Sequence, residues 1–122
     1  MATILIVEDN PTNMRLAVFL VERAGHRALA AMDAETALTL AREQMPGLIL
    51  MDIQLPGIDG LAAISLLKAD DATRAIPVIA LTALAMKGDE ERIRAAGCDG
   101  YIAKPMRYKE FLASIESQLA RP

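Results

Sequence analysis

Five side chains in this sequence are of the right types to do chemistry together: the acids Glu8, Asp9 and Asp52, the hydroxyl of Thr82 and the ammonium of Lys104. Each closes or directly follows a short apolar run. Ile4-Leu5-Ile6-Val7 leads into Glu8-Asp9, Leu48-Ile49-Leu50-Met51 into Asp52, Pro77-Val78-Ile79-Ala80-Leu81 into Thr82, and Tyr101-Ile102-Ala103 into Lys104. Runs this short, without polar alternation, predict strands buried on both faces, as in a parallel sheet covered by helices. Such sheets bind ligands beyond the carboxyl ends of their strands, so the five groups are expected to converge on one edge. Three carboxylates repel one another unless a cation sits among them. A cluster of hard oxygen donors suits Mg²⁺ with several retained waters, and Mn²⁺ can substitute for it.

Taken singly, each acid reads as the cap of the helix that follows it, Asp9 above all. Taken as a set at four strand ends, the residues read as a site. Asp52 is the sharpest case, because it ends an apolar strand and opens the loop Ile53-Gln54-Leu55-Pro56-Gly57. A carboxylate attacks a phosphoryl donor to form an acyl phosphate when a metal and a positive side chain screen the incoming oxygens. Asp52 is then the nucleophile. Asp52, Asp9 and, through water, Glu8 hold the metal together with the backbone carbonyl of Gln54. Lys104 pairs with the phosphoryl group, Thr82 donates a hydroxyl hydrogen bond, and the small Ala83 leaves room for the group to approach.

The elements that must position these groups carry their own signals. Asn10-Pro11 predicts an N-cap with proline in the first turn, and Ala24-Gly25 a glycine stop. Asp33 begins a second helix, with Ala34, Ala37, Leu38 and Ala41 at helical spacing, ended by Pro46-Gly47. A third is expected from about Ile58, with Leu61, Ile64 and Leu67 as its apolar stripe. A fourth ends at Gly97 with Arg92 and Arg94 in its last turns. A fifth runs from about Arg107, presenting Tyr108, Phe111, Leu112, Ile115 and Leu119. A weaker apolar run at Ala28-Leu29-Ala30-Ala31 supplies a fifth strand. Five strand-then-helix units in order predict a doubly wound α/β sandwich.

The chain has 122 residues, 53% of them hydrophobic and 24% charged, enough for one domain over 1–122 with a self-sufficient core. A net charge of -3 argues against tracking a nucleic-acid backbone. Four aromatic residues, Phe19, Tyr101, Tyr108 and Phe111, are too few for a nucleobase-stacking platform. The longest apolar run is about five residues against the roughly 18 of a membrane helix, so the expectation is a cytoplasmic protein without membrane insertion.

These features resemble the CheY-like receiver domains of two-component response regulators. The resemblance rests on Val7-Glu8-Asp9-Asn10, Leu50-Met51-Asp52 followed by Pro56-Gly57 and Asp59-Gly60, Thr82-Ala83, and Tyr101-Ile102-Ala103-Lys104-Pro105. Within the family, Ala85-Met86-Lys87-Gly88-Asp89-Glu90-Glu91-Arg92-Ile93-Arg94 is most similar to stand-alone DivK-type regulators. The resemblance implies a flavodoxin-like (βα)5 fold with sheet order 2-1-3-4-5. It implies phosphoryl transfer to Asp52 from a histidine kinase or phosphotransferase histidine, and a cis bond between Lys104 and Pro105. It further implies a switch in which Thr82 and Tyr101 move and the face of the fourth helix, fifth strand and fifth helix changes its downstream protein partner. A monomer or weak homodimer is expected. Gln54 and Leu84 occupy positions that tune how fast water reaches the acyl phosphate, the apolar Leu84 implying slower decay. Glu8 stands where many members carry Asp.

Other readings weigh less. A small Asp-nucleophile phosphatase needs a second acid two residues after the nucleophile, where Gln54 stands. A flavin carrier of the same sheet order needs a phosphate cradle after the first strand, where acids stand instead. A receiver cut from a longer hybrid kinase or regulator is the third alternative, against which the Met1-Ala2-Thr3 start is read. His26 is expected to be exposed or to pack, Cys98 to be a small buried residue, Met51, Met86 and Met106 to pack or to make adaptable contacts, and the 87–94 charge run to be a solvated face or a partner surface.

Overall fold

The structure is a computed structural model and describes residues 1–55, 57, 59–82, 87–104 and 106–120, without the side chains of 87–90. The elements alternate along the chain: β1 (Thr3–Val7), α1 (Pro11–Arg23), β2 (Arg27–Ala31), α2 (Ala34–Gln44), β3 (Leu48–Asp52), α3 (Gly60–Ala69), β4 (Val78–Thr82), α4 (Lys87–Ala95), β5 (Gly100–Ala103) and α5 (Tyr108–Leu119). The sheet is parallel throughout, in the order β2-β1-β3-β4-β5. This is the flavodoxin-like arrangement that the resemblance implied. The order reverses between β1 and β3, which opens the crevice at their carboxyl ends.

Alternation along each strand divides the core into two layers. Ile4, Ile6, Leu48, Leu50, Ile79 and Leu81 face α1 and α5, where they meet Ala17, Leu20, Phe111 and Ile115. Leu5, Val7, Ile49, Met51, Val78 and Ala80 face the other side, against Ala37 and Ala41 of α2, Ile64 and Leu67 of α3, and Ile93 of α4. The central strands β3 and β4 are buried at every position. The apolar runs therefore lack polar alternation because both faces of these strands are covered.

Local chemistry sets the helix ends. The Asn10 side chain accepts hydrogen bonds from the Thr12 and Asn13 amides at 2.9 and 3.1 Å, and Pro11 supplies the first turn. Asp33 accepts from the Thr36 amide at 2.7 Å, which holds its carboxyl below the usual range. The third helix begins at Gly60, close to the expected start at about Ile58, because the Asp59 carboxylate accepts from the Ala62 amide at 2.8 Å and caps the helix there. Gly97, at φ 102°, follows α4 in the left-handed conformation.

Side-chain bonds at the amino ends of the strands hold the layers in place. The Lys68 ammonium donates to the Ile76 carbonyl at 2.8 Å and to the Asp99 carboxylate at 3.0 Å, and Asp99 also accepts from the Val78 amide at 2.8 Å. These bonds fix α3 to the start of β4 and to the turn before β5. His26 packs: its side chain is 10% exposed, Nδ1 accepts from the Ala2 amide at 3.0 Å, and Nε2 lies 3.3 Å from the Glu116 carboxylate. It ties the N-terminal strand to α5.

Pro46-Gly47 does not itself close α2. The left-handed turn falls on Met45, at φ 45°, a residue 55% exposed. A side chain costs about 1 kcal/mol in that conformation, and glycine does not. Met45→Gly should therefore stabilise the protein by up to about 1 kcal/mol, read as a higher urea midpoint at unchanged slope.

Candidate functional site

Beyond the carboxyl ends of the strands, the topology brings together residues far apart in sequence. Asp52 ends β3 and is 3% exposed, Thr82 ends β4 and is 1% exposed, and Glu8, one residue past β1, is also 1% exposed. Asp9 is exposed and Lys104 is partly covered. The strand ladder carries this placement: Asp52 pairs with Leu81 and Thr82 with Ala103, while the Lys104 amide donates to the Thr82 carbonyl at 2.7 Å.

Lys104 is the electrostatic centre of the cluster. Its Nζ donates to Glu8 Oε1 at 2.7 Å and to Asp52 Oδ2 at 3.1 Å. Burial alone lowers the affinity of this ammonium for its proton, but the hydrogen bonds and charges of Glu8 and Asp52 outweigh it, and its pKa rises above 10.5. Lys104 is thus held in its charged form beside the acids. The second oxygen of each acid is also occupied, Glu8 Oε2 by the Asn10 amide at 3.2 Å and Asp52 Oδ1 by the Gln54 amide at 2.9 Å. Among the described residues no buried side-chain polar atom lacks a partner.

The remaining charge suits a cation. Glu8, Asp9 and Asp52 each bring a carboxylate oxygen within 4.8 Å of the others. Three carboxylates against one ammonium leave two negative charges, and the donors are hard oxygens. The set therefore fits a divalent ion such as Mg²⁺.

Glu8, Asp9, Asp52 and Lys104 come together at their strand ends, with Gln54 joined to Asp52 through its amide and Thr82 at the end of the adjoining strand β4. Two features go beyond the sequence reading. Glu8 is a direct counter-ion of Lys104, and the Gln54 amide holds the Asp52 carboxylate in an Asx-type turn, for which Asp two residues ahead of a loop amide is a recognisable signal. Tyr101 on β5 is half-buried and lies between two clefts of about 250 and 270 Å³, one lined by Ile93, Arg94 and Cys98, the other by Ala113, Ser114 and Ser117. Ala83, Leu84, Met86 and Pro105, with the bond from Lys104 to Pro105, lie outside the described residues. Met51 and Met106 are buried.

Cys98 is a packed thiol. Burial, reinforced by Asp99 and opposed by Lys68, pushes it up to about 12 from an ordinary 9.0. Because the folded value lies above the unfolded one, the thiol's contribution to stability is full below about pH 9 and is lost as pH climbs toward 12. At pH 8 its alkylation by iodoacetamide should be at least about a hundredfold slower in the native protein than in urea.

Removing the Lys104 charge leaves two buried acids without their cation. Lys104→Met should destabilise the metal-free protein by about 2 kcal/mol, a value below that of a fully buried pair because the lysine is partly solvated. Millimolar Mg²⁺ should recover more of the thermal midpoint in this variant than it adds to the wild type.

Comparison with known proteins agrees with this geometry. The response regulator receiver domain matches residues 4–116. The polar-differentiation response regulator DivK of Brucella anthropi is 52% identical over 117 residues, covering 96% of this chain and 95% of the relative. The receiver domain of a sensor histidine kinase from Pseudomonas aeruginosa superposes with a TM-score of 0.92 at 35% identity, covering 98% of both chains, and carries a magnesium ion coordinated in its active-site cleft. That of a signal transduction histidine kinase from Syntrophus aciditrophicus gives a TM-score of 0.90 at 31% identity, covering 98% of this chain and 91% of the other. These likenesses imply phosphorylation-dependent two-component signalling with a histidine kinase or phosphotransfer partner, in a signalling protein rather than a metabolic enzyme. No described helix is long and apolar enough to cross a membrane. The acidic crevice at the switch point of the 2-1-3-4-5 sheet, with a lysine bound across it, lies within the stretch that the receiver-domain model matches, and the chain belongs to the response regulator receiver domains.

Proposed function

We propose that this chain is a phosphorylation-controlled switch that accepts a phosphoryl group on Asp52 and signals by protein contact. The observation that carries the reading is the buried Asp52 carboxylate with Lys104 Nζ 3.1 Å from one of its oxygens and two further acids alongside. Asp9, Asp52 and the Gln54 carbonyl would hold Mg²⁺ or Mn²⁺, with Glu8 contributing through water. Bound there, the ion neutralises the phosphoryl oxygens during transfer.

The chain's own residues do the rest. An Asp52 oxygen attacks phosphorus on the donor's phosphohistidine, forming an O–P bond as the N–P bond breaks and the imidazole leaves with the bonding pair. Lys104 turns from its two carboxylates toward the phosphoryl oxygens, and Thr82 donates its hydroxyl to another. Ala83 leaves space beside them. Tyr101, with clefts on both sides, follows Thr82, and the α4-β5-α5 face changes its affinity for a downstream protein partner. Gln54 and Leu84 set the access of water to the acyl phosphate, Leu84 favouring a long-lived state. In this reading residues 1–122 form one cytoplasmic receiver domain of the DivK type, monomeric or weakly dimeric, that acts on no substrate beyond its phosphodonor.

The test is intact-protein mass after incubation with acetyl phosphate and Mg²⁺. Wild type should gain one phosphoryl group, about 80 Da by the chemistry of aspartyl phosphate formation, and Asp52→Asn none. An equal gain in both proteins would remove Asp52 from its role.

A further inference from the structure

Gly60, the first residue of α3, has no space for a side chain. A Cβ there would overlap the Asp52 carbonyl oxygen and Ile53 Cα and lie 2.8 Å from the Asp52 carbonyl carbon. All three atoms are backbone, so none can rotate out of the way. Gly60 is not in the left-handed region, so its requirement is for closeness and not for an unusual backbone angle. Among the described glycines it alone would bring a Cβ within 3.0 Å of backbone; Gly47 would make an ordinary 3.7 Å contact, and Gly25 and Gly57 none within 4 Å.

The contact falls on the segment that carries the site. Ile53 is bonded on both sides, its amide donating to the Leu81 carbonyl on β4 at 3.2 Å and its carbonyl accepting from the Gly60 amide at 3.2 Å. One residue earlier, the Asp52 carboxylate accepts from the Gln54 amide. The backbone of Asp52 and Ile53 is therefore confined between β4 and the first turn of α3, and the carboxylate and the Gln54 peptide move with it.

We infer that Gly60 is a positioning residue: the bare first turn of α3 is a stop that sets the Asp52 carboxylate and the Gln54 carbonyl in register with Glu8, Asp9 and Lys104. The inference rests on the reading of Asp52 as acceptor and of Asp52 and Gln54 as cation ligands. A methyl group at position 60 would push α3 and this loop apart. The site would then lose affinity for the ion and speed in phosphoryl acceptance while the sheet and its core stayed intact. Helix propensity alone predicts only a more stable α3, since alanine suits a helix better than glycine, and no loss at the site.

The experiment compares wild type, Gly60→Ala and Asp59→Ala in two measurements, Mg²⁺ titration by calorimetry and the rate of mass gain from acetyl phosphate. Asp59→Ala removes the cap of the same helix without touching Asp52. Gly60→Ala should bind Mg²⁺ and accept phosphate at least about tenfold more weakly and slowly, with an unchanged circular dichroism spectrum. Asp59→Ala should lower the melting temperature yet keep both values within about twofold. Values within twofold for Gly60→Ala, or an equal loss in Asp59→Ala, would overturn the inference while leaving Asp52 as acceptor. If Gly60→Ala does not fold, hydrogen exchange at the Gly60 amide of the wild type decides: it should slow when Mg²⁺ is added, and an unchanged rate overturns the inference. A wild type that neither binds Mg²⁺ nor gains mass would instead overturn the reading of the site, and this inference with it.

Discussion

The ammonium of Lys104, bound at once to Glu8 and Asp52, is the interaction on which the rest of the site depends. Two carboxylates are buried almost completely at neighbouring strand ends, and a buried charge is costly unless it is paired. One lysine reaches both from a third strand and stays charged because they surround it. The pair spacing in sequence, 96 residues to Glu8 and 52 to Asp52, means that no local element can assemble this contact. The order of the strands in the sheet does so. The buried ion triad ties the carboxyl ends of β1, β3 and β5 together in the resting state, and it leaves a net negative charge that a divalent cation can answer.

The core exists to hold those strand ends in register. β1, β3 and β4 are apolar along their length because helices cover both their faces, and their polarity changes abruptly where the sheet meets the crevice. The boundary is sharp by necessity: a carboxylate one residue earlier on β3 would lie in the apolar layer occupied by Met51. At the opposite edge, Lys68, Asp99 and His26 make hydrogen bonds that fasten the helices to the strands, so that the amino ends of the sheet are locked by polar contacts that have no part in phosphoryl chemistry. One edge of the sheet is structural and the other is chemical.

Much of this was legible in the residues themselves. Strand identity followed from apolar runs without alternation, and the site from the acids, hydroxyl and lysine that end them. The sheet order came from the resemblance, since periodicity does not say which strand lies beside which. What the sequence concealed depends on distances across the fold. That Glu8 meets Lys104 directly follows from the reach of one side chain toward another strand's end. That His26 binds the Ala2 amide depends on the pairing of β1 with β2. Apolar spacing placed the start of α3 only approximately because it does not mark a cap, although Asp59 carried the signal. Met45 in a left-handed turn runs against the glycine preference by which such turns are recognised.

The most direct test is a crystal structure of the protein with beryllium fluoride and Mg²⁺, which mimic an aspartyl phosphate and its ion. Beryllium should be bonded to an Asp52 carboxylate oxygen, with one fluorine on Lys104 Nζ and another on the Thr82 hydroxyl. The ion should be held by Asp9, Asp52 and the Gln54 carbonyl. Beryllium on a different carboxylate, or a Lys104 that keeps both of its present bonds while the fluoride group sits elsewhere, would contradict this arrangement.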